Sequence, residues 1–403
     1  MTWSDVLFES LYSSASRNGV YKAKDFHGRG TRIVNMGELF GYSFISNQEM
    51  KRVELDEREL DLNSLEDGDL LFGRRSLVES GAGKCSLVVN PLEPMTFESS
   101  IIRVRVNKEV VNPRFLYYYF LSPQGRGRIR SIVSGTNVKG IRSSDLKKIS
   151  VANPLKVVQD GIVAALSAYD DLIDNNRRRI ALLEESARQL YHEWFVRLRY
   201  PGHEHTPIVD GVPQGWERKS LGEVTNINQR NIANGFDGEI EYIDIASVTR
   251  NSVDSTTTYE FRDAPGRARR IVRHGDIIWS CVRPNRRSHA VIWQPAENLI
   301  ASTGFVVLSP KTLPTSFLHQ AVTTDAFVGY LENHAKGAAY PAVVSGDFER
   351  AMILVPSPAL VTAFDDFAGA LLWQTHNLQQ QNQKLRQTRD LLLPRLMNGE
   401  LAV

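Results

Sequence analysis

Only two cysteines, Cys85 and Cys281, occur in the 403 residues of this chain. They lie far apart and lack the paired spacing of a zinc site, which predicts reduced, buried thiols and no bound metal. Long hydrophobic runs are also missing. No stretch reaches the roughly 18 apolar residues needed to cross a bilayer, and the opening Met1-Thr2-Trp3-Ser4-Asp5 has neither the basic n-region nor the apolar h-region of a signal peptide. A cytoplasmic protein with no membrane partner is expected. An excess of one charge is lacking too: Lys and Arg total 48 against 46 Asp and Glu, a formal net charge of +2. Net charge alone therefore neither announces nor excludes a nucleic-acid partner.

The motifs contain no complete catalytic machinery. An N6-adenine methyltransferase needs an Asn/Asp-Pro-Pro-aromatic element, and Asn90-Pro91-Leu92-Glu93, Asn112-Pro113-Arg114-Phe115 and Asn153-Pro154-Leu155-Lys156 all lack the second proline. Gly81-Ala82-Gly83-Lys84-Cys85 resembles a phosphate loop, but Val78 replaces its first glycine and Cys85 stands where Ser or Thr would hold magnesium. That loop is expected instead to set Lys84 near a phosphate backbone. The nine histidines are scattered, and His203-Glu204-His205 falls in a Pro- and Gly-rich stretch, residues 201–215, read as a surface linker. No cofactor is expected on this chain. A self-contained nuclease has only the generic fragment Glu49-Met50-Lys51 in its favour.

What is present is the balance of a folded globular protein, 42% hydrophobic and 23% charged, with length for two domains of roughly 150 residues. The chain is also internally duplicated. Residues 134–146 are echoed by 336–348, and the pairs Gly135 and Gly337, Asp145 and Asp347, Pro154 and Pro356, and Phe115 and Phe317 all share one separation. Upstream, Gly68-Asp69-Leu70-Leu71-Phe72 answers Gly275-Asp276-Ile277-Ile278-Trp279 at a slightly different separation. In each copy a Gly-Asp turn opens a short apolar run, the pattern of a tight turn entering a buried strand. Further strands are expected at 86–89, 100–106, 241–245, 290–293 and 304–308, and helices at 113–121 and 315–323. Each half is read as α+β.

A different pattern follows each half. Ile162, Leu166, Tyr169, Ile173, Asn176, Ile180, Leu183, Ala187, Leu190 and Trp194 alternate spacings of four and three, which is a coiled-coil seam. At the same repeat separation, Phe364, Ala368, Leu371, Thr375, Leu378, Asn382, Leu385, Arg389 and Leu392 form a second seam with Leu371, Leu378, Leu385 and Leu392 as its spine. Asn176 and Asn382 interrupt the apolar pattern, and a buried Asn gives up stability to fix register or partner. Two core helices of a bundle would show the same spacing. If the copies are related by a local two-fold axis and the helices pair, they run antiparallel. A helix over 156–194 would be on the order of 55–60 Å long. The expected architecture is two tandem mixed α/β domains, residues 1–155 and 216–356, joined by two long antiparallel coiled-coil helices within 156–200 and 357–403, with pseudo-two-fold symmetry.

At these residues the chain resembles the specificity subunits of type I restriction–modification systems. The resemblance lies in Asp174-Asn175-Asn176-Arg177-Arg178-Arg179-Ile180-Ala181-Leu182-Leu183-Glu184-Glu185 followed by Leu190-Tyr191-His192-Glu193-Trp194-Phe195, and in Arg389-Asp390-Leu391-Leu392-Leu393-Pro394-Arg395-Leu396-Met397-Asn398-Gly399-Glu400-Leu401. Gly135-Thr136 with Lys139-Gly140-Ile141 and Asp145-Leu146 resembles the end of a target-recognition domain, and Gly337 with Asp347 does so without the Thr and Ile. The resemblance implies two target-recognition domains reading double-stranded DNA, and assembly with two methyltransferase subunits and with restriction subunits. Those partners would carry S-adenosylmethionine, ATP and Mg2+. A related bipartite-site system whose partner fuses methyltransferase and nuclease is the alternative, and a scaffold that binds only proteins is a third class.

Basic residues gather at Arg74-Arg75, at 126–130, 139–148, 267–273 and 283–287. Such clusters are often solvated faces. Arg, Lys and Asn are also the side chains that reach phosphates and base edges. The candidates that flank the repeated turns are Arg74, Arg75, Lys84, Lys139 and Arg142 in the first half, and Arg283, Asn285, Arg286, Arg287, Lys336 and Tyr340 in the second. Two separated readers of weak mutual similarity imply a bipartite, asymmetric target.

Overall fold

The computed structural model describes residues 3–401, and the chain divides into two compact units. One comprises the residues up to Asp174 together with those from Asn382 onward; the other is Asn175–Gln381. Both division points fall inside long helices, so the helical segments belong to the two units and do not stand apart from them as the sequence boundaries had it.

In the first unit a five-stranded sheet runs in the order Tyr12–Asn18, Ile101–Val106, Leu70–Gly73, Cys85–Val88, Phe44–Ile45, antiparallel except for the last pair. A three-stranded sheet of Arg52–Val53, His27–Val34 and Met95–Phe97 accompanies it. The helix Pro113–Leu121 starts where it does because the Asn112 side chain accepts the Arg114 amide at 2.9 Å and Pro113 fills a first-turn position that needs no amide. Ser122 ends it and caps the next helix, Pro123–Arg130. The corner is tight, because a Cβ on Gly125 would collide with the Tyr119 carbonyl oxygen. Phe8, Phe72 and Phe120 meet in the core with ring centroids between 5.0 and 6.1 Å apart.

The second unit has two four-stranded sheets. Thr225–Ile227, Phe305–Pro310, Ile277–Ser280 and His289–Val291 form an antiparallel one. Thr257–Glu260, Glu239–Ile243, Leu299–Ser302 and Ala268–Ile271 form the other, in which only the middle pair is parallel. A helix, Thr315–Ala321, follows. The strands and helices read from sequence lie within one or two residues of observed ones; Thr225–Ile227, Thr257–Glu260, Ala268–Ile271 and Leu299–Ser302 have no counterpart in the sequence reading. The stretch 201–215 carries a short hairpin, Ile208–Val209 with Val212–Pro213. Cys85 is buried, but Cys281 is only partly so, because it lies just past the end of its strand. No helix among the described residues is long and apolar enough to cross a membrane.

The two Gly-Asp turns are built alike. Gly68 and Gly275 have φ of +88° and +83°, a region glycine enters without a Cβ clash. Asp69 and Asp276 are buried, at 0% and 2% exposure, and each accepts the amide three residues earlier, of Glu66 and of Arg273, at 2.8 Å. A buried carboxylate needs such partners. Arg105 adds two bonds of 2.8 Å to Asp69. Asp276 has Arg230 at 3.9 Å, and burial pushes its pKa up.

The long helices span Lys156–Tyr191 and Pro358–Met397. The first leaves α geometry at Tyr191 and passes into a π-helical turn, His192–Val196, short of the end read at 194. Tyr191 and Phe195 both pack on Phe317 and Phe364 there, with centroids 5.0 to 5.8 Å apart. In the first unit Ile162 and Leu166 pack with Leu393, Leu396 and Met397, while Asp170 meets Arg389. In the second, Tyr191 meets Phe364 and Asn176 approaches Gln381. In each unit one helix segment ascends as the other descends, so the pairing is antiparallel. Ile173, Asn176, Ala187, Phe364, Ala368, Thr375, Leu378 and Asn382 are buried; Tyr169, Ile180, Leu183, Leu190, Leu371, Leu385, Arg389 and Leu392 are half-buried.

Several polar groups inside these segments are partnered, whereas the buried Thr375 hydroxyl and both His289 ring nitrogens have no hydrogen-bond partner among the described residues. Asn176 and Asn382 are 1% and 3% exposed, and Asn176 Nδ2 lies 3.5 Å from Gln381 Oε1. Asp170 accepts from Arg389 Nη1 at 2.5 Å and from the Tyr118 hydroxyl at 2.6 Å. Burial alone would lower the Arg389 pKa, but the bonds and charges of Asp170 and Asp390 raise it. Burial, then the same carboxylate, raises that of Tyr118. In the second unit His289 and His319 are buried with ring centroids 5.5 Å apart. Asn251 Oδ1 lies 3.0 Å from His319 Nε2, and Gln379 donates to the Asn251 carbonyl at 3.1 Å. Burial, then repulsion from Arg250, lowers His319 to about 4; burial, then His319, also lowers His289.

Two outcomes are expected. Asp170→Ala leaves Arg389 with Asp390 alone and the Tyr118 hydroxyl without its acceptor, and should destabilise the first unit by about 1–3 kcal/mol, whereas replacing Asp170 and Arg389 together by Leu should cost less; denaturant unfolding of the two variants checks this. A histidine neutral when folded but charged when unfolded stabilises above its unfolded pKa, and the contribution is lost as pH falls. The second unit should therefore weaken between about pH 6.5 and 4, by about 3 kcal/mol for His319. Thermal unfolding across this range should show a shallower pH dependence in His319→Gln, and an unchanged slope would refute the assignment.

Candidate nucleic-acid interface

In each unit the repeated glycine loop docks on the segment leaving the Gly-Asp strand. In the first unit, Ser134 and Gly140 exchange amide–carbonyl bonds of 2.9 Å, with Gly135 at φ +104°. Lys139–Gly140 then pairs antiparallel with Arg75–Ser76, and the Ile141 amide donates to the Arg74 carbonyl at 3.0 Å. In the second unit, Lys336 and Ala342 exchange bonds of 2.8 and 2.9 Å, with Gly337 at φ +103°. The Val343 amide donates to the Cys281 carbonyl at 2.9 Å, and the Arg283 amide to the Pro341 carbonyl at 2.7 Å. Backbone pairing thus brings together residues that lie far apart in sequence.

The first assembly gathers Arg74, Arg75 and Lys139, with Arg142 just beyond. Arg75 and Arg142 are exposed, and Arg74 and Lys139 half-buried. None of the four has a side-chain hydrogen bond or ion pair among the described residues, so their charges are available to an anion. The second assembly places Arg283, Asn285, Arg286 and Arg287 around one short turn, Pro284–Arg286, opposite the loop with Lys336 and Tyr340. Arg283 and Arg287 have φ of +51° and +52°, a region side-chain-bearing residues seldom occupy and that persists where the surroundings enforce it. The Arg283 guanidinium sits 4.6 Å from the Tyr340 ring centroid and donates to the Ala339 carbonyl at 3.2 Å. Arg287 is committed to Asp325 at 2.5 Å, whereas Asn285, Arg286 and Lys336 are exposed.

Lys84 stands differently from its sequence reading. Its ammonium donates to the Phe40 carbonyl at 2.5 Å and lies 5.1 Å from the Phe40 ring centroid; burial, then Arg126, lowers its pKa. The glycine-rich loop around it is turned the opposite way from a phosphate cradle. Its Ala82 and Gly83 carbonyls accept from Arg126 at 3.2 and 3.0 Å, and the Gly83 amide is used on the Gly73 carbonyl at 2.7 Å. Two apolar features escaped the sequence reading. Leu77 and Val78 are exposed just past Arg75, and Val138 is exposed on the first loop. Val138 had a signal, since it occupies the repeat position of Tyr340; Leu77 and Val78 had none.

Over residues 20–185 the sequence matches the family described as the type I restriction modification DNA specificity domain. It is 23% identical over 401 residues to the type I restriction enzyme MjaIX specificity subunit of Methanocaldococcus jannaschii, covering 95% of this chain and 89% of that protein. It is 22% identical over 439 residues to the HindI specificity subunit of Haemophilus influenzae, covering 92% and 94%. In fold it is similar to the crystal structure of a type I restriction–modification system S subunit from M. genitalium, with a TM-score of 0.57, 17% identity, and coverage of 98% and 96%. With the internal duplication and the paired helices, these likenesses say what the chain is similar to: the specificity subunits of type I restriction–modification systems.

Proposed function

We propose that each unit reads one half of a bipartite, asymmetric double-stranded DNA target, and that the chain is a non-catalytic adaptor for other subunits. The observation that carries this reading is one construction, a glycine loop paired to the strand exit, present twice with different side chains. Arg74, Arg75, Lys139 and Arg142 furnish one copy; Arg283, Asn285, Arg286, Lys336 and Tyr340 furnish the other. Exposed cations without internal partners attract phosphates, and Arg and Asn can make paired bonds to base edges. The same backbone bearing different chemistry is what two readers of different sequences require. Two methyltransferase subunits and the restriction subunits are the partners in this reading, and S-adenosylmethionine, ATP and Mg2+ act on them.

Mapping methylated positions in DNA from a host that carries this chain with its methyltransferase should reveal one asymmetric motif in two parts separated by unspecified bases. A single continuous palindrome would overturn the proposal. In the assembled complex, Arg142→Ala and Arg286→Ala should each weaken DNA binding without unfolding. A lost phosphate contact should reduce the salt slope by about one, and a lost base contact should cost ~1–3 kcal/mol at one target position. Arg287→Ala should do less, since its guanidinium is held by Asp325. Equilibrium binding at several salt concentrations separates these cases, and unchanged affinity and slope in both of the first two variants would move the DNA face elsewhere.

A further inference from the structure

We infer that Tyr340 is a stacking wedge, a ring that inserts beside a base step in the half-site read by the second unit and locally unstacks it. The inference rests on the DNA-reading role proposed above and assigns to one residue a part in deforming the duplex.

Tyr340 stands on the loop closed by the Lys336 and Ala342 bonds, and is 69% exposed. An aromatic side chain that leaves its core is normally held by something or used for something. Here one face of the ring is covered by the Arg283 guanidinium at 4.6 Å, and Arg283 is itself fixed by its bond to the Ala339 carbonyl and its φ of +51°. The cation restrains the ring before any ligand arrives, which reduces the entropy lost on binding. Exposed Arg286 and Lys336 flank the same assembly, so a phosphate backbone drawn to them would bring base steps within reach of the ring.

Chemistry favours a nucleobase over a protein side chain as the occupant. Every base offers a π-face, and base–aromatic stacking returns about 1–3 kcal/mol. Inserted apolar side chains kink duplexes at a cost of about a few kcal/mol per unstacked step, least at pyrimidine–purine steps, which are the easiest to kink. The internal repeat adds an independent argument. The first unit places Val138, also exposed, at the same point of the same loop, directly before Lys139. In both units this loop position carries an exposed side chain with a non-polar surface, and only in the second is it a ring.

The test uses the complete complex, with its methyltransferase subunits, on the target defined by methylation mapping. 2-Aminopurine is placed in turn at each position of both half-sites except the methylated base, which a methyltransferase extrudes by itself. Wild type should brighten one step of the second half-site. Tyr340→Ala should abolish that signal and raise Kd about tenfold, Tyr340→Phe should retain both, and the first half-site should respond equally in all three. Equal brightening and equal Kd in Tyr340→Ala would overturn the wedge while leaving DNA reading intact. A wild-type complex with no sequence preference would overturn both. Loss of partner assembly by Tyr340→Ala, with DNA affinity unchanged in what assembles, would assign the ring to a protein contact instead.

Discussion

Burial of Leu393, Leu396 and Met397 against Ile162 and Leu166 is the contact on which the first unit depends. A fully buried aliphatic side chain stabilises by about 1.5–3 kcal/mol, and a whole domain by only about 5–15 kcal/mol. Three such residues from the end of the chain are therefore a large share of what holds a core begun near Phe8. The second unit shows the same dependence, with Ala187 and Tyr191 from one helix and Phe364 and Ala368 from the other completing a core that includes Trp279 and Phe317. Long helices alone are poorly stable in water without a partner for their apolar face. Each helix is held here because its two ends lie in cores that it helps to close.

The polar groups in these segments work against stability and in favour of a single register. Leu371, Leu378, Leu385 and Leu392 repeat so evenly that a slip of one heptad would still bury leucine. Asn176, Asn382 and the Asp170–Arg389 pair would not survive such a slip with their partners, and an unpartnered buried polar group costs free energy. Asp170 has a further role because it also accepts from Tyr118, in the helix Pro113–Leu121. One carboxylate thereby joins the paired helices to the helix Pro113–Leu121 of the same unit. In the second unit, Asn251 joins His319 to Gln379 in a comparable way.

The repeated glycine loops show how one scaffold can present two chemistries. The Gly-Asp turn, its buried carboxylate and the glycine loop are matched almost bond for bond between the units, and they use main-chain atoms or buried groups. What differs is what projects: unpaired cations and Val138 in one, the Arg283–Tyr340 stack and a strained basic turn in the other. Variation concentrates in loops because loop side chains can change without disturbing the hydrogen bonds that position them.

The sequence by itself determined the duplication, some of the strands and helices of each half, the heptad seams and the two asparagines within them, because these are periodic or local. A turn, a cap or a 4–3 spacing is read from neighbours only a few residues apart. The family resemblance was likewise visible in continuous stretches such as 174–195 and 389–401. The tertiary structure alone decided that Lys84 is spent on the Phe40 carbonyl, that Arg287 is tied to Asp325, and that Arg283 lies on Tyr340. It also decided that Asp170, unremarkable in its heptad, meets both Arg389 and Tyr118. Those outcomes depend on contacts between residues tens to hundreds of positions apart, and no local pattern encodes them. Charge and residue type told which side chains were candidates; only the packed chain showed which of them have internal partners.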